Sequence, residues 1–207
     1  MTNYTNGGRG PDSNRDSRAP STLEPPGWIA WAERRPSSHW NQRPSGVSID
    51  LLVIHNISLP PGEFGGPWIN DLFLGRLDPA RHPYFAVAAT AGPVSTHLLI
   101  RRDGRPIQYV PLDLRAWHAG RSCFEGREAC NDFSIGIELE GDDETPYEPA
   151  QYRTLIQATQ VIMEAYPAIK ADRIRGHNEI APGRKTDPGP FFDWGFYLTA
   201  LGSARGR

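Results

Sequence analysis

Residues 48–56 read SIDLLVIHN, and few folds can house such a run. Leucines and β-branched residues follow one another without polar alternation, so a strand built from them must be covered on both faces. Such a strand belongs inside a sheet with layers above and below it. The run ends on His55 and Asn56, which places an imidazole at the rim of the sheet on backbone that its neighbours hold firmly.

Further elements follow by pattern. Residues 57–73, ISLPPGEFGGPWINDLF, read as a Pro- and Gly-rich loop leading to a short helix with Pro67 near its first position. Residues 82–89, HPYFAVAA, suggest another short helix, and residues 28–35, WIAWAERR, one or two amphipathic helical turns. In residues 96–111, THLLIRRDGRPIQYVP, two strands join at Asp103 and Gly104, a pair that accepts positive φ. Alternation along residues 133–141, FSIGIELEG, puts Phe133, Ile135, Ile137 and Leu139 on one face and Ser134, Gly136, Glu138 and Glu140 on the other. Residues 149–166 form the long helix, with Tyr152, Leu155, Ile156, Ile162, Met163 and Tyr166 on its apolar stripe. Strands and helices mixed in this way imply an α/β domain, a mixed central sheet flanked by helices.

A length of 207 residues suits a single domain. The 22 basic and 24 acidic residues nearly balance, which argues against a general affinity for nucleic acid or an anionic membrane. No apolar run is long enough to span a bilayer. Residues 1–24 read as a disordered polar leader without the apolar core of an export signal, residues 25–200 as the domain, and residues 201–207 as a flexible tail. Cys123 and Cys130 are too few for a disulfide framework and read as free thiols of a cytoplasmic monomer.

The chemistry concentrates in residues 175–190, RGHNEIAPGRKTDPGP, where Pro and Gly pairings read as a rigid loop holding His177, Lys185 and Asp187. Two imidazoles and a carboxylate are a usual three-ligand set for catalytic zinc, with a fourth position left for water. His-Glu-x-x-His is absent, so such a site must be assembled from distant segments, and spacing by itself specifies little. Taken singly, each residue has an ordinary explanation: a strand-ending histidine as a structural group, Asp187 as a turn residue, Lys185 as a solvated charge and Glu138 as an exposed one. Ser134 and Gly136, small residues sharing a face with Glu138, leave room for a substrate.

Taken together, LLVIHNISLPPGEFGGPWI, HPYF, HLLIRRDG, QYVP, RAWHAGRS, GREACNDFSIGIELEG and GHNEIAPGRKTDPGP resemble the zinc-dependent N-acetylmuramoyl-L-alanine amidases. The likeness is greatest to the AmpD type, which acts on 1,6-anhydro-muropeptides in cytoplasmic cell-wall recycling. The resemblance implies the fold of amidases related to T7 lysozyme and the peptidoglycan-recognition proteins, and a small muropeptide as substrate. It further implies one Zn²⁺ per chain on His55, His177 and Asp187, with Glu138 as the acid–base group and Lys185 as the oxyanion partner. Asn56, Trp117, His118 and Arg127 are candidates for substrate contacts. Relatives of this type carry arginines before the hairpin and before the Cys-Asn-Asp segment. Here Ala91, Gly92, Pro93 and Ala129 stand there, so either Arg127 substitutes or the peptide stem is recognised differently. Two other readings stay open: an amidase of intact peptidoglycan outside the cytoplasm, and a non-catalytic recognition module, which would typically have lost a zinc ligand.

Overall fold

The structure, a computed structural model, describes residues 23–24 and 27–204. Of residues 1–24, read as a disordered leader, 1–22 lie outside the described residues, as do 25–26 and 205–207, while Leu23–Glu24 form a short strand. A six-stranded sheet forms the frame, from Glu33–Arg34 (β1), Leu51–Ile57 (β2), Leu98–Ile100 (β3), Pro106–Gln108 (β4), Ser134–Glu140 (β5) and Ile174–Gly176 (β6). The strands lie in the order β6-β2-β5-β3-β4-β1. The first four in that order run parallel, β3 and β4 form the antiparallel hairpin, and β1 joins β4 in parallel.

The expected central strand is there, and Leu51, Leu52, Val53 and Ile54 are fully buried because both faces of the sheet are covered. On one face, Pro149–Ala165 (α3) lays Leu155, Ala158 and Ile162 over Leu52, Ile54, Ile135, Ile137 and Leu139. On the other, Trp68–Phe73 (α1) and Pro83–Ala89 (α2) bring Ile69, Phe73 and Phe85 onto Leu99, Ile107 and Tyr109. At the hairpin turn Gly104 takes φ +84°, and a Cβ there would meet the Ala150 carbonyl oxygen at 2.9 Å, so the turn abuts the start of α3.

Four local expectations change. Residues 28–35 form two short strands joined by a turn at 30–32 rather than a helix: Trp28–Ile29 pairs with Leu23–Glu24, and β1 joins the sheet beside Ile107 and Gln108. Eight residues are too few for an independent helix, while the sheet offers partners: the Gln108 side chain accepts from the Ile29 N–H and its main chain from the Arg35 N–H. Residues 175–190 are not loop throughout, since Arg175 and Gly176 finish β6 and His177–Ile180 makes one helical turn (α4). Phe133 leaves its expected face and packs with Leu51 and Val53, because the 3₁₀ turn Cys130–Asp132 precedes it. The helix Trp194–Ala204 (α5) was not foreseen and runs past residue 200; Tyr197 and Leu201 bury its inner face. No helix among the described residues is long and apolar enough to cross a membrane.

Candidate metal centre and active site

Strand register assembles the site. In the parallel pair β2–β5, His55 lies directly opposite Glu138, and in β6–β2 Gly176 lies opposite Ile54, so His177 follows at the adjoining strand end. Three neighbouring parallel strands therefore deliver His177, His55 and Glu138 along their carboxyl ends, where open α/β sheets form ligand crevices. The turn after α4 brings Asp187 back: the Asn178 N–H donates to the Asp187 carbonyl at 3.0 Å, and Tyr147 Oη donates to the Pro188 carbonyl at 2.6 Å.

His55 Nδ1, His177 Nδ1 and Asp187 Oδ2 lie 3.0 Å from one another, an equilateral triangle, and all three residues are buried. Tetrahedral zinc with bonds of about 2.0–2.1 Å separates its ligand atoms by about 3.3 Å, so this triangle fits the ion after a shift of a few tenths of an ångström. Burial is the largest influence on His55 and lowers its pKa to about 4, leaving a neutral imidazole suited to a metal. His55, His177 and Asp187 could therefore hold a metal ion.

Two glutamates share the strand face, and their partners separate them. Glu140 is tied down: Oε1 accepts from the Gly65 N–H at 2.7 Å and Oε2 from the Arg102 N–H at 3.0 Å, with Arg101 Nε at 3.4 Å. Glu138 is equally interior, yet its Oε2 has no hydrogen-bond partner. A buried carboxylate oxygen without a donor is costly and needs a reason. Burial first, then the nearby Asp187 charge, pushes the Glu138 carboxyl well above its usual range, with Lys185 pulling the other way. A raised carboxyl of this kind holds its proton more tightly than a solvated glutamate does.

A cleft of about 350 Å³ opens onto these residues, with Lys185 exposed at its edge and Leu59, Tyr84 and Ala88 among its apolar lining. Asn56 lines it and donates to Asp143 Oδ1 at 2.9 Å. Trp117 also lines it, stacked on His39 at 5.8 Å and held by its Nε1–H to Asn41 Oδ1 at 2.8 Å. His118 borders the cleft, but both ring nitrogens are engaged, Nδ1 with His55 Nε2 at 2.9 Å and Nε2 with Ser134 Oγ at 3.2 Å.

Two expectations about substrate space need correction. The room beside Glu138 is filled by this chain itself: a Cβ on Gly136 would sit 2.6 Å from His118 Cγ, so Gly136 accommodates the His118 ring. Arg127 does not reach the cleft. Its guanidinium pairs with Asp50 at 2.7 Å and lies over the Phe133 ring, at the start of β2. Asp50 is five residues before His55, about 16 Å along an extended strand. The Tyr147 contact to Pro188 was not anticipated, and no sequence pattern marks it.

A sheet whose carboxyl edge presents two histidines, an aspartate and an unpaired glutamate to one cleft has the make-up of a hydrolase that works with a metal. Residues 45–190 match the family model described as N-acetylmuramoyl-L-alanine amidase, and the chain belongs to that family as an enzyme hydrolysing a linear amide. It is 61% identical over 175 residues to the 1,6-anhydro-N-acetylmuramyl-L-alanine amidase AmpD of Enterobacter cloacae, covering 84% of this chain and 92% of the relative. The crystal structure of a Se-Met AmpD derivative superposes with a TM-score of 0.84 at 57% identity, covering 87% of this chain and 99% of that one. The Escherichia coli amidase AmiD, in complex with the substrate anhydro-N-acetylmuramic acid-L-Ala-D-gamma-Glu-L-Lys, gives 0.56 at 31% identity, covering 78% and 61%.

Proposed function

We propose that this chain is a zinc amidase of cytoplasmic cell-wall recycling, cleaving the bond between the lactyl carbonyl of 1,6-anhydro-N-acetylmuramic acid and the L-alanine of a small muropeptide. The names of its AmpD relatives and the substrate bound to AmiD support that substrate. The observation that carries the reading is the unpaired, buried Glu138 oxygen beside a triangle of three metal-ligating atoms.

His55, His177 and Asp187 would hold the ion. Zinc bound there lowers the pKa of its water towards about 7 and polarises the scissile carbonyl. Glu138, facing the cleft without a competing donor, accepts the proton of the attacking water and returns it to the departing alanine nitrogen. Lys185 places its ammonium at the cleft, where it stabilises the negative charge that develops on the carbonyl oxygen. Asn56 and Trp117 line the path a sugar or peptide would take and bind the substrate there.

Zinc analysis combined with hydrolysis of anhydro-muropeptide and of cross-linked wall tests the reading. One zinc per chain and a strong preference for the soluble muropeptide are expected. Equal cleavage of intact wall would point to an extracytoplasmic amidase, and zinc-free, inactive protein to a recognition module. Alanine at Glu138 or Lys185 should keep zinc and lower turnover by about a hundredfold or more, whereas alanine at His55, His177 or Asp187 should empty the site.

A further inference from the structure

The two imidazoles of the triangle lean on one short piece of chain. His55 Nε2 lies 2.9 Å from His118 Nδ1, and His177 Nε2 lies 3.1 Å from the carbonyl oxygen of the next residue, Ala119. The N–H groups of His118 and Ala119 both donate to Asn131 Oδ1, at 3.1 and 2.8 Å, so a single buried asparagine holds the pair in place.

Proton positions follow from these partners. A carbonyl oxygen can only accept, so His177 Nε2 carries a proton, and in the neutral ring Nδ1 is then bare. Arg184 Nη2 also approaches His177 Nε2 at 3.3 Å, but its two protons go to the nearer Ala119 and Arg121 carbonyls at 2.7 and 2.8 Å. On the other side, Ser134 Oγ gives its proton to the Cys130 carbonyl at 2.6 Å and can offer His118 Nε2 only a lone pair. His118 Nε2 is therefore protonated, neutral His118 has a bare Nδ1, and His55 must donate through Nε2. His55 Nδ1 is then bare as well. Three lone-pair atoms meet 3.0 Å apart with no proton from the rings between them, so a shared proton or a cation must bind them together.

We propose that His118 and Ala119 form a shared clamp that fixes both imidazoles as Nε2–H tautomers and turns both Nδ1 lone pairs to the metal. His118 is a positioning residue acting through His55, and its role here replaces substrate contact. The inference rests on the reading of His55, His177 and Asp187 as a metal centre.

The test compares zinc affinity, by chelator competition, and the absorption bands of the Co²⁺-loaded protein for the full chain and its variants. Wild-type chain should bind one zinc; if it binds none, the metal reading itself fails, whatever the variants do. His118→Leu keeps bulk but removes the acceptor, and it should weaken zinc by about 10- to 100-fold and shift the Co²⁺ bands while the melting temperature of the metal-free chain changes little. His118→Asn places an amide oxygen near the site of the lost Nδ1 and should recover most of that affinity. Zinc binding in His118→Leu as tight as in wild type, or a His118→Asn variant as weak as His118→Leu, overturns the clamp. Should His118→Leu not fold, Ser134→Ala decides: it leaves the ring in place but frees its tautomer, and unchanged zinc affinity and Co²⁺ bands there overturn the proposal equally.

Discussion

Tyr147 donates its hydroxyl proton to the Pro188 carbonyl at 2.6 Å, which ties the body of the domain to the residue that follows Asp187. The phenol is buried between Tyr152 and Phe192, and burial pushes its pKa up, so it stays a donor at any working pH. Tyr147→Phe removes the donor and leaves a buried carbonyl unpaired, at a cost of about 1–3 kcal/mol. Denaturant unfolding should show that loss, and zinc titration should show weaker binding because the turn carrying Asp187 is looser. Wild-type values in both measurements would mean the turn holds itself.

Glu138 gives the metal-free protein a pH dependence of definite sign. Its carboxyl, at 4.5 in the free state, is raised on folding by burial and by the Asp187 charge. Between those two values the folded chain keeps a proton that the unfolded chain has released, so stability falls as pH rises through the window and stays lower above it. Glu138→Gln should therefore raise the melting temperature of metal-free protein at pH 7 and leave it nearly unchanged at pH 4. Calorimetric scans at the two pH values check this, and a glutamine variant no more stable at pH 7 contradicts it.

Gly136→Ala tests how tightly the His118 ring is wedged. The added methyl would lie 2.6 Å from both Cγ and Nδ1 of that ring, so the imidazole must move. A loss of about 1–3 kcal/mol in stability is expected, with weaker zinc binding alongside it. A variant with wild-type zinc affinity would show that the ring has somewhere else to go.

Arg127→Ala separates position in sequence from position in space. Its ion pair with Asp50 is partly exposed and shared with Arg173, so its removal should cost no more than about 1 kcal/mol. Turnover of anhydro-muropeptide should stay close to wild type. A large rise in KM would place the guanidinium on the substrate after all.

Much of the fold was legible because the relevant signals are local. The unbroken apolar run at residues 51–54, the glycine turn at Gly104 and the helix of residues 149–165 each declare themselves through the chemistry of neighbouring side chains. Residues 28–35 misled because their partner is Gln108, far along the chain, and no local pattern reveals an edge waiting for them. The final helix was legible in principle, since Trp194, Tyr197, Leu198 and Leu201 recur at helical spacing and pack on one cluster.

By itself the sequence marked the candidates: an imidazole ending a buried strand, a glutamate on an alternating one, and a histidine and an aspartate in a stiff Pro/Gly stretch. Only the tertiary structure decided how they are used. Parallel register set Glu138 beside His55, hydrogen bonds satisfied Glu140 while leaving Glu138 Oε2 without a donor, and packing gave the space beside Gly136 to His118. Arg43 makes the same point, since its half-buried guanidinium donates to the carbonyls of Leu112, Asp113, Asn131, Asp132 and Ser134 and so secures the turn on which Asn131 sits. Hydrogen-bond partners and pKa values depend on distances through space, and those distances exist only once the chain has closed on itself.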